Sequence, residues 1–156
     1  CCDYDNDPAN TSTYGRIYNW YAVYDEREIA PQGWHVPDDE EWKQLEKTLG
    51  MSDVEVDNNG FRGSDQGGLL KQTGTAHWAE PNTGAANTSG FNALPAGYRG
   101  NTAGIYNYLG FDAYFWTSTL SSNYLMVYRR LYHNRQDIYR NNLHINAGLS
   151  IRCVRD

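Results

Sequence analysis

Apolar positions along this chain recur with two different periods. From Tyr14 to Tyr24, the residues Ile17, Trp20, Tyr21 and Tyr24 fall at i, i+3, i+4 and i+7, the spacing of one helix face, and predict a first helix. Gln32 to Pro37 reads as a short extended stretch. A second helix is predicted after Asp38, which has the pattern of an N-cap with Glu41 three residues on completing a capping box. Trp42, Leu45 and Leu49 line one face of that helix, and Gly50 supplies its stop.

Toward the C-terminus the period falls to two. Phe115 to Leu120 is a compact apolar strand and Gly148 to Asp156 a second one. Between them Asn123 to Asn146 is rich in Tyr, Asn and Arg. Within Tyr124 to Tyr132, alternation puts Leu125, Val127, Arg129 and Leu131 on one face and Tyr124, Met126, Tyr128, Arg130 and Tyr132 on the other. The first set is the better core face, so the second is expected to face solvent. Met51 to Gly68, Trp78 to Ser89 and Gly104 to Tyr114 are polar, glycine-rich or both, and read as loops. Leu69 to Lys71 is a brief ordered segment between them. Phe91 and Leu94 should anchor the loop that follows, and Gly97 should permit a turn. Long loops in a compact domain are usually functional when ordered. The fold class is therefore α+β and loop-rich, in a single domain spanning residues 1–156.

The length of 156 residues supports one domain. A chain of this size buries roughly 68–70% of its unfolded surface, enough for a core that needs no staple. The net charge of −6 argues against a nucleic-acid partner, for which a basic face is the expected footprint. No apolar stretch approaches the roughly 20 residues of a membrane helix, so no membrane insertion is expected. The abrupt opening on Cys1-Cys2, without a leader, fits a processed form or a module of a larger polypeptide. With three cysteines, Cys153 is expected to pair with Cys2, Cys1 being the alternative partner. Such a ring would contribute about 5 kcal/mol in the chain-entropy picture.

Candidate chemistry is concentrated in the last third. Tyrosine offers contact area with few rotors to freeze, while Asn and Arg offer adaptable hydrogen bonds. The expected ligand-facing surface is Tyr124, Met126, Tyr128, Arg130 and Tyr132, with His133, Asn134, Arg135, Asp137, Tyr139, Asn142, His144 and Asn146. The bland reading of the same residues is a solvated sheet with ordinary cross-strand tyrosine packing. Elsewhere, Asp3, Asp5, Asn6 and Asp7 lie close together, and their alternate carboxylates could bind calcium, which takes about six to eight oxygen ligands, but they lack the spacing of a calcium loop and its closing Glu. Four histidines, His35, His77, His133 and His144, show no metal spacing. No cofactor, metal or catalytic centre is expected, since nucleophile elbow, phosphate loop and metalloprotease helix are all missing.

Several blocks carry a family resemblance. Tyr14-Gly15-Arg16-Ile17-Tyr18-Asn19-Trp20-Tyr21-Ala22, Gly33-Trp34-His35-Val36-Pro37 with Glu41-Trp42, Phe91 to Arg99, Trp116-Thr117-Ser118-Thr119 and the ending Ser150 to Asp156 together resemble the Fibrobacter succinogenes major paralogous domain. The match runs in order over nearly the whole chain. The resemblance implies a branch of the C-type lectin-like fold, related to the formylglycine-generating module. Two helices would flank a small, twisted, mostly antiparallel sheet, with the chain ends adjacent. It also implies a bacterial protein that is secreted or held at the cell surface. Trp34, Trp42, Trp116, Arg129 and Arg140 are expected to be structural, the two arginines because they match the family's pattern. The family often has a cysteine where this chain has Ala30, and its Lys and aromatic positions near the end are occupied by Ile145, Ala147 and Leu149. The related module's cysteine-pair chemistry does not carry over, because Cys1 and Cys2 are terminal.

Glu80-Pro81-Asn82 spells the tripeptide that C-type lectins use for calcium-dependent sugar binding, but the companion Trp-Asn-Asp block is missing. Tyr124 to Asn146 also resembles the diversified segment of variable proteins of diversity-generating retroelements. The function expected from all this is an extracellular adhesion or recognition module for a glycan or a protein on another cell or in the environment. The alternatives are a diversified receptor for variable protein ligands and a structural surface module with no specific ligand.

Overall fold

A computed structural model describes residues 1–156 as a mixed α+β domain. In chain order its elements are helix α1 (Thr11–Tyr14), strand β1 (Trp34–His35), helix α2 (Asp39–Thr48), β2 (Gly60–Arg62), helix α3 (Gln66–Leu70), β3 (Ala96–Arg99), β4 (Tyr106–Leu109), β5 (Asp112–Ser122), β6 (Leu125–Tyr132), β7 (Ile138–His144) and β8 (Val154–Arg155). Six strands form one open sheet in the order β2-β7-β6-β5-β3-β4, and β1 pairs with β8 in a separate two-stranded ribbon. All pairings in the main sheet are antiparallel except β3 with β5, which meet at Gly97 and Ala113.

Helix α2 forms where the sequence places it, and for the expected reason. The Asp38 carboxylate accepts from the Glu41 N–H at 2.8 Å, and the Glu41 carboxylate accepts from the Asp38 N–H at 2.9 Å, satisfying two helix-end donors at once. Acidic residues fill its first turn and Lys47 its last, the arrangement the helix dipole favours. Its buried face lies on β5 and β6. Trp42 packs against Phe115 and Phe91 at ring distances of 5.8 and 5.5 Å. That contact is the centre of one core, completed by Met51, Val56, Leu70, Trp78, Ala93, Ala113, Leu131 and Ile138. Beside it runs a buried ionic network. Arg129 donates to Glu46 and Asp39, Arg62 donates to both Glu46 oxygens, and Arg140 donates to Asp39. Burial pushes the Asp39 carboxyl up, but Arg140 and Arg129 outweigh it and hold the group well below the usual carboxylate range.

The helix predicted over Tyr14 to Tyr24 does not form. Helix α1 ends at Tyr14 because Gly15 takes a positive φ of 74°. The chain then runs extended, with Ile17 bridged to Cys2 and Tyr18 to Leu149, and makes only a 3-10 turn at Trp20–Ala22. Two of its four apolar side chains still point inward, while Tyr21 and Tyr24 are exposed. Ile17 is buried, and Trp20 packs on the second core and donates its indole N–H to the Thr117 carbonyl at 3.2 Å. The sheet is thus flanked by one substantial helix rather than two. On its other face this irregular segment and Ile145–Leu149 close over Trp116, Met126 and Tyr128.

Other expectations also change. The stretch read as loop from Met51 to Gly68 contains β2 and the start of α3. Residues Gly148 to Asp156 are not one strand. Gly148, Leu149 and Ser150 make single bridges, and regular pairing resumes only at β8. The chain ends attach to different partners, Cys2 to Ile17 and β8 to β1. The expected disulfide is accordingly not made, and Cys1, Cys2 and Cys153 are free. Cys1 and Cys2 line a cavity with Asn6 and Tyr106, whereas Cys153 lines a different one with Trp42 and Phe91.

Candidate functional site

The site grows out of sheet register. Facing residues on neighbouring strands share one side of a sheet. Register pairs Phe61 with Tyr139, Tyr139 with Arg130, Arg130 with Tyr114, and Tyr128 with Trp116. Tyr98 follows Gly97 as Tyr114 follows Ala113 across the parallel bridge. Register thereby brings a ring from each of β2, β7, β6, β5 and β3 to the side opposite α2. On β4 the pairing sets Asn107 opposite Tyr98, and Tyr108, at a positive φ of 64°, joins the row by stacking on Tyr98. Phe61 and Tyr139 lie 4.8 Å apart, Tyr139 and Tyr128 6.3 Å, Tyr128 and Tyr114 6.0 Å, Tyr114 and Tyr98 4.7 Å, and Tyr98 and Tyr108 6.1 Å. The result is an unbroken row of rings crossing all six strands. Its two ends, Phe61 and Tyr108, are exposed, and its middle, Tyr114 and Tyr128, is sunk into the surface. Pairs of this kind contribute about 0.5–1.5 kcal/mol each beyond area burial.

Arg130 holds the middle of the row together. Its guanidinium lies 4.0 Å from the Tyr132 ring, 4.7 Å from Tyr114 and 5.0 Å from Tyr108. It also donates through Nε and Nη2 to one oxygen of Asp112, whose carboxyl is pushed up by burial against the pull of that arginine. Cation–π contacts this desolvated are worth about 2 kcal/mol. Arg135, in the turn after β6, lies 3.9 Å from the Phe61 ring and is paired with Asp137 at 2.6 Å. Both cations at the row therefore carry their own counter-ion.

The tyrosine hydroxyls are the unused groups. Burial pushes the Tyr114 and Tyr128 phenols well up, and Tyr132 is pushed up to about 12. All three stay protonated at neutral pH. None of the three makes a hydrogen bond within the protein, and only Tyr139 in the row has a partner, accepting from Asn141 Nδ2 at 2.9 Å. His133 sits alongside, edge-on to Phe111 at 5.1 Å. Its buried Nδ1 has no partner and lies 4.0 Å from Asp112.

The residues expected to face a ligand divide into groups. Tyr128, Arg130, Tyr132 and Tyr139 come together in and around the row, and His133, Asn134, Arg135 and Asp137 form the turn at one flank. Met126 does not belong with them: it is fully buried in the core against Trp116 and Leu149, as is most of Tyr128. The strand face expected to meet solvent is covered there by Trp20 and Ile145–Leu149. Asn142 and His144 are registered with Val127 and Leu125, on the side facing α2. Tyr124 stacks on His144 at 6.2 Å, far from the row, and Asn146 lines the small cavity beside Cys1 and Cys2. Among the residues expected to be structural, Trp42, Trp116 and Arg129 are fully buried, and Arg140 joins the ionic network. Trp34 is exposed on β1 instead.

Sequence reasoning missed Phe61, Tyr98, Tyr108, Asp112 and Tyr114. The available signals were the single aromatic in Gly60-Phe61-Arg62 and the alternation in Tyr106-Asn107-Tyr108. The other candidate clusters do not assemble. Asp3 accepts from Thr11 and Arg16, and Asp7 caps the turn at Ala9. Asn82 is buried, its amide donating to the Gln72 and Gly74 carbonyls. His35 is bridged between Asp156 and Glu41, and no three His, Cys, Asp or Glu side chains converge as metal ligands.

No curated protein and no solved structure matches the chain. The model of the Fibrobacter succinogenes major domain matches residues 1–155, a span that takes in α2, every strand of the sheet and the whole aromatic row. The chain belongs to that bacterial domain family.

Proposed function

We propose that this is a non-catalytic recognition module of C-type lectin-like fold, secreted or held at a bacterial cell surface as part of a larger polypeptide. Its binding surface is the aromatic row. The observation that carries this reading is the pair of buried tyrosines, Tyr114 and Tyr128, whose hydroxyls lack a protein partner in the middle of a surface with exposed rings at both ends. Aromatic rings with free polar tips are typical of interfaces, because they combine contact area with a hydrogen-bonding end. The net charge of −6 favours neither nucleic acid nor an anionic membrane as partner. No helix is long and apolar enough to cross a membrane.

The test is to present the purified domain to a glycan array and to surface extracts in pulldowns, alongside a Phe61→Ser/Tyr108→Ser variant. Both residues are half-exposed, so the variant should stay cooperatively folded, with a melting temperature lower by several degrees from the lost ring contacts, and lose retention of whatever the parent binds at temperatures where it is fully folded. If the parent retains nothing in either format and the variant changes only stability, the row is a structural cluster and the module has no ligand there.

A further inference from the structure

The row also constrains what the ligand is, granted that it is the binding surface. Three features bear on this. The first is charge. Arg130 is neutralised by Asp112 and Arg135 by Asp137, and both guanidiniums are covered on one side by rings. An anionic ligand would have to displace a buried or bidentate carboxylate, and a cationic one would meet arginines. The second is hydrogen bonding. Tyr114 and Tyr128 are more than nine-tenths buried, yet their hydroxyls have no partner. A ligand that is purely apolar would leave those hydroxyls stranded, which is costly for a desolvated polar group. The third is shape. Five cavities of 200 to 650 Å³ lie away from the row, which runs across the strands as a track. Six strands at roughly 4.8 Å spacing make that track about 24 Å long, running across the strands.

We infer that the aromatic row takes an uncharged polysaccharide, laid across the strands with its apolar sugar faces on the accessible rings of Phe61, Tyr139, Tyr98 and Tyr108 and its hydroxyls reaching the free phenol groups of Tyr114 and Tyr128 between them. A chain of neutral sugars matches all three features. It has no charge to balance, it presents alternating apolar faces and hydroxyl edges, and it is extended rather than compact. A single sugar would touch one or two rings and bind weakly, so affinity should grow with the number of sugars until the track is filled.

The experiment is affinity electrophoresis of the domain in gels containing neutral polysaccharides (a β-glucan, a galactomannan and a xyloglucan) and, in parallel, acidic ones (polygalacturonate and alginate). Each is run at low and high salt. Pulldowns from surface extracts accompany them. Retardation by at least one neutral polymer, unchanged by salt, is the expected result. Tyr114→Phe and Tyr128→Phe each remove one oxygen while keeping the ring. Each should weaken retention about three- to tenfold, the worth of one hydrogen bond, without lowering the melting temperature. A merely structural row would show no such split, because hydroxyls that bond to nothing can be deleted freely. Retardation only by acidic polymers, abolished by salt, overturns the neutral ligand while leaving the row as a binding surface. So does retention of a defined protein, lost in Phe61→Ser/Tyr108→Ser, without retardation by any polysaccharide. No retention in either format, with substitutions altering stability alone, overturns both this inference and the function proposed above.

Discussion

Replacing Glu46 by Gln should damage this domain far more than the size of the change suggests. Glu46 is fully buried between two guanidiniums, accepting from Arg62 through both oxygens at 2.7 Å and from Arg129 at 2.7 Å. Arg129 has a second acid, Asp39, at 2.7 Å. Arg62 has none. Its remaining contacts are the Val56 carbonyl and the Met51 sulfur, both at 3.2 Å, and burial already pushes its pKa down with Glu46 opposing. Gln keeps the shape and removes the only negative charge that Arg62 meets. Breaking a buried pair from one side costs about 3–5 kcal/mol, because a charge stays behind in a medium that solvates it poorly. In a domain whose whole stability is about 5–15 kcal/mol, that is a large fraction. For this chain length the melting temperature should fall by about 10 °C, at roughly 2–4 °C per kcal/mol. Arg129→Met should cost less, about 2–3 kcal/mol, since Glu46 keeps Arg62 and Asp39 keeps Arg140. Urea unfolding followed by tryptophan fluorescence would rank the two variants. A loss below about 1 kcal/mol for Glu46→Gln, or the reverse ranking, would refute the idea that uncompensated charge, rather than lost packing, sets the cost.

Three further outcomes are expected. The Lys71 ammonium donates to the carbonyls of Thr83, Tyr132 and Arg135 at 2.8–2.9 Å, tying the turn after β6 to the Thr83 loop, so Lys71→Met should cost about 3 kcal/mol in urea unfolding. Burial lowers its pKa to about 8, below the value in the unfolded chain. Wild type should therefore gain stability relative to that variant as pH rises from about 8 to about 10.4, and a flat difference would count against it. The pKa of His35 is raised by its hydrogen bonds to Asp156 and Glu41, so its contribution is full below about 6.5 and fades as pH climbs through the raised value. His35→Gln should lose stability in acid and match wild type in base, read from melting temperatures across that range. Gly67→Ala would drive a methyl into the Asp137 carbonyl oxygen, where α3 touches the turn carrying Arg135, and should lower the melting temperature by several degrees; an unchanged value would mean the turn yields freely.

Local chemistry was readable from the chain and sheet order was not. The capping box at Asp38 and Glu41, the apolar stripe of α2 and the strands around Phe115 and Val127 are all short-range signals, and they appear where the pattern puts them. The periodicity over Tyr14 to Tyr24 misled because only Ile17 and Trp20 anchor the segment, which is irregular, and Tyr21 and Tyr24 stay exposed. Gly15 stops the helix, and bridges to Cys2 and Leu149 hold the chain extended. Alternation along β6 located the two faces but assumed that one is dry and one wet. Both are covered in the middle of the strand, which is why Met126 is core. The aromatic row was invisible for a deeper reason. Its rings come from Phe61, Tyr98, Tyr108, Tyr114, Tyr128 and Tyr139, and only the order β2-β7-β6-β5-β3-β4 makes them neighbours.

The two faces of β6 have a consequence for folding fidelity. Tyr128, Arg129 and Arg130 are consecutive, and one of the two arginines must meet the acids under α2 while the other meets the tyrosine rings. A slip of one residue against β5 would either put Tyr128 opposite Phe115, where Arg129 meets Asp39 and Glu46, or put Leu131 opposite Tyr114, where Arg130 meets Asp112 and the rings. Two incompatible environments on opposite sides of one strand thus act as a lock on its alignment. Whichever way the sheet slips, a buried acid loses its arginine, so the alignment that assembles the aromatic row is also the one that completes the ionic core.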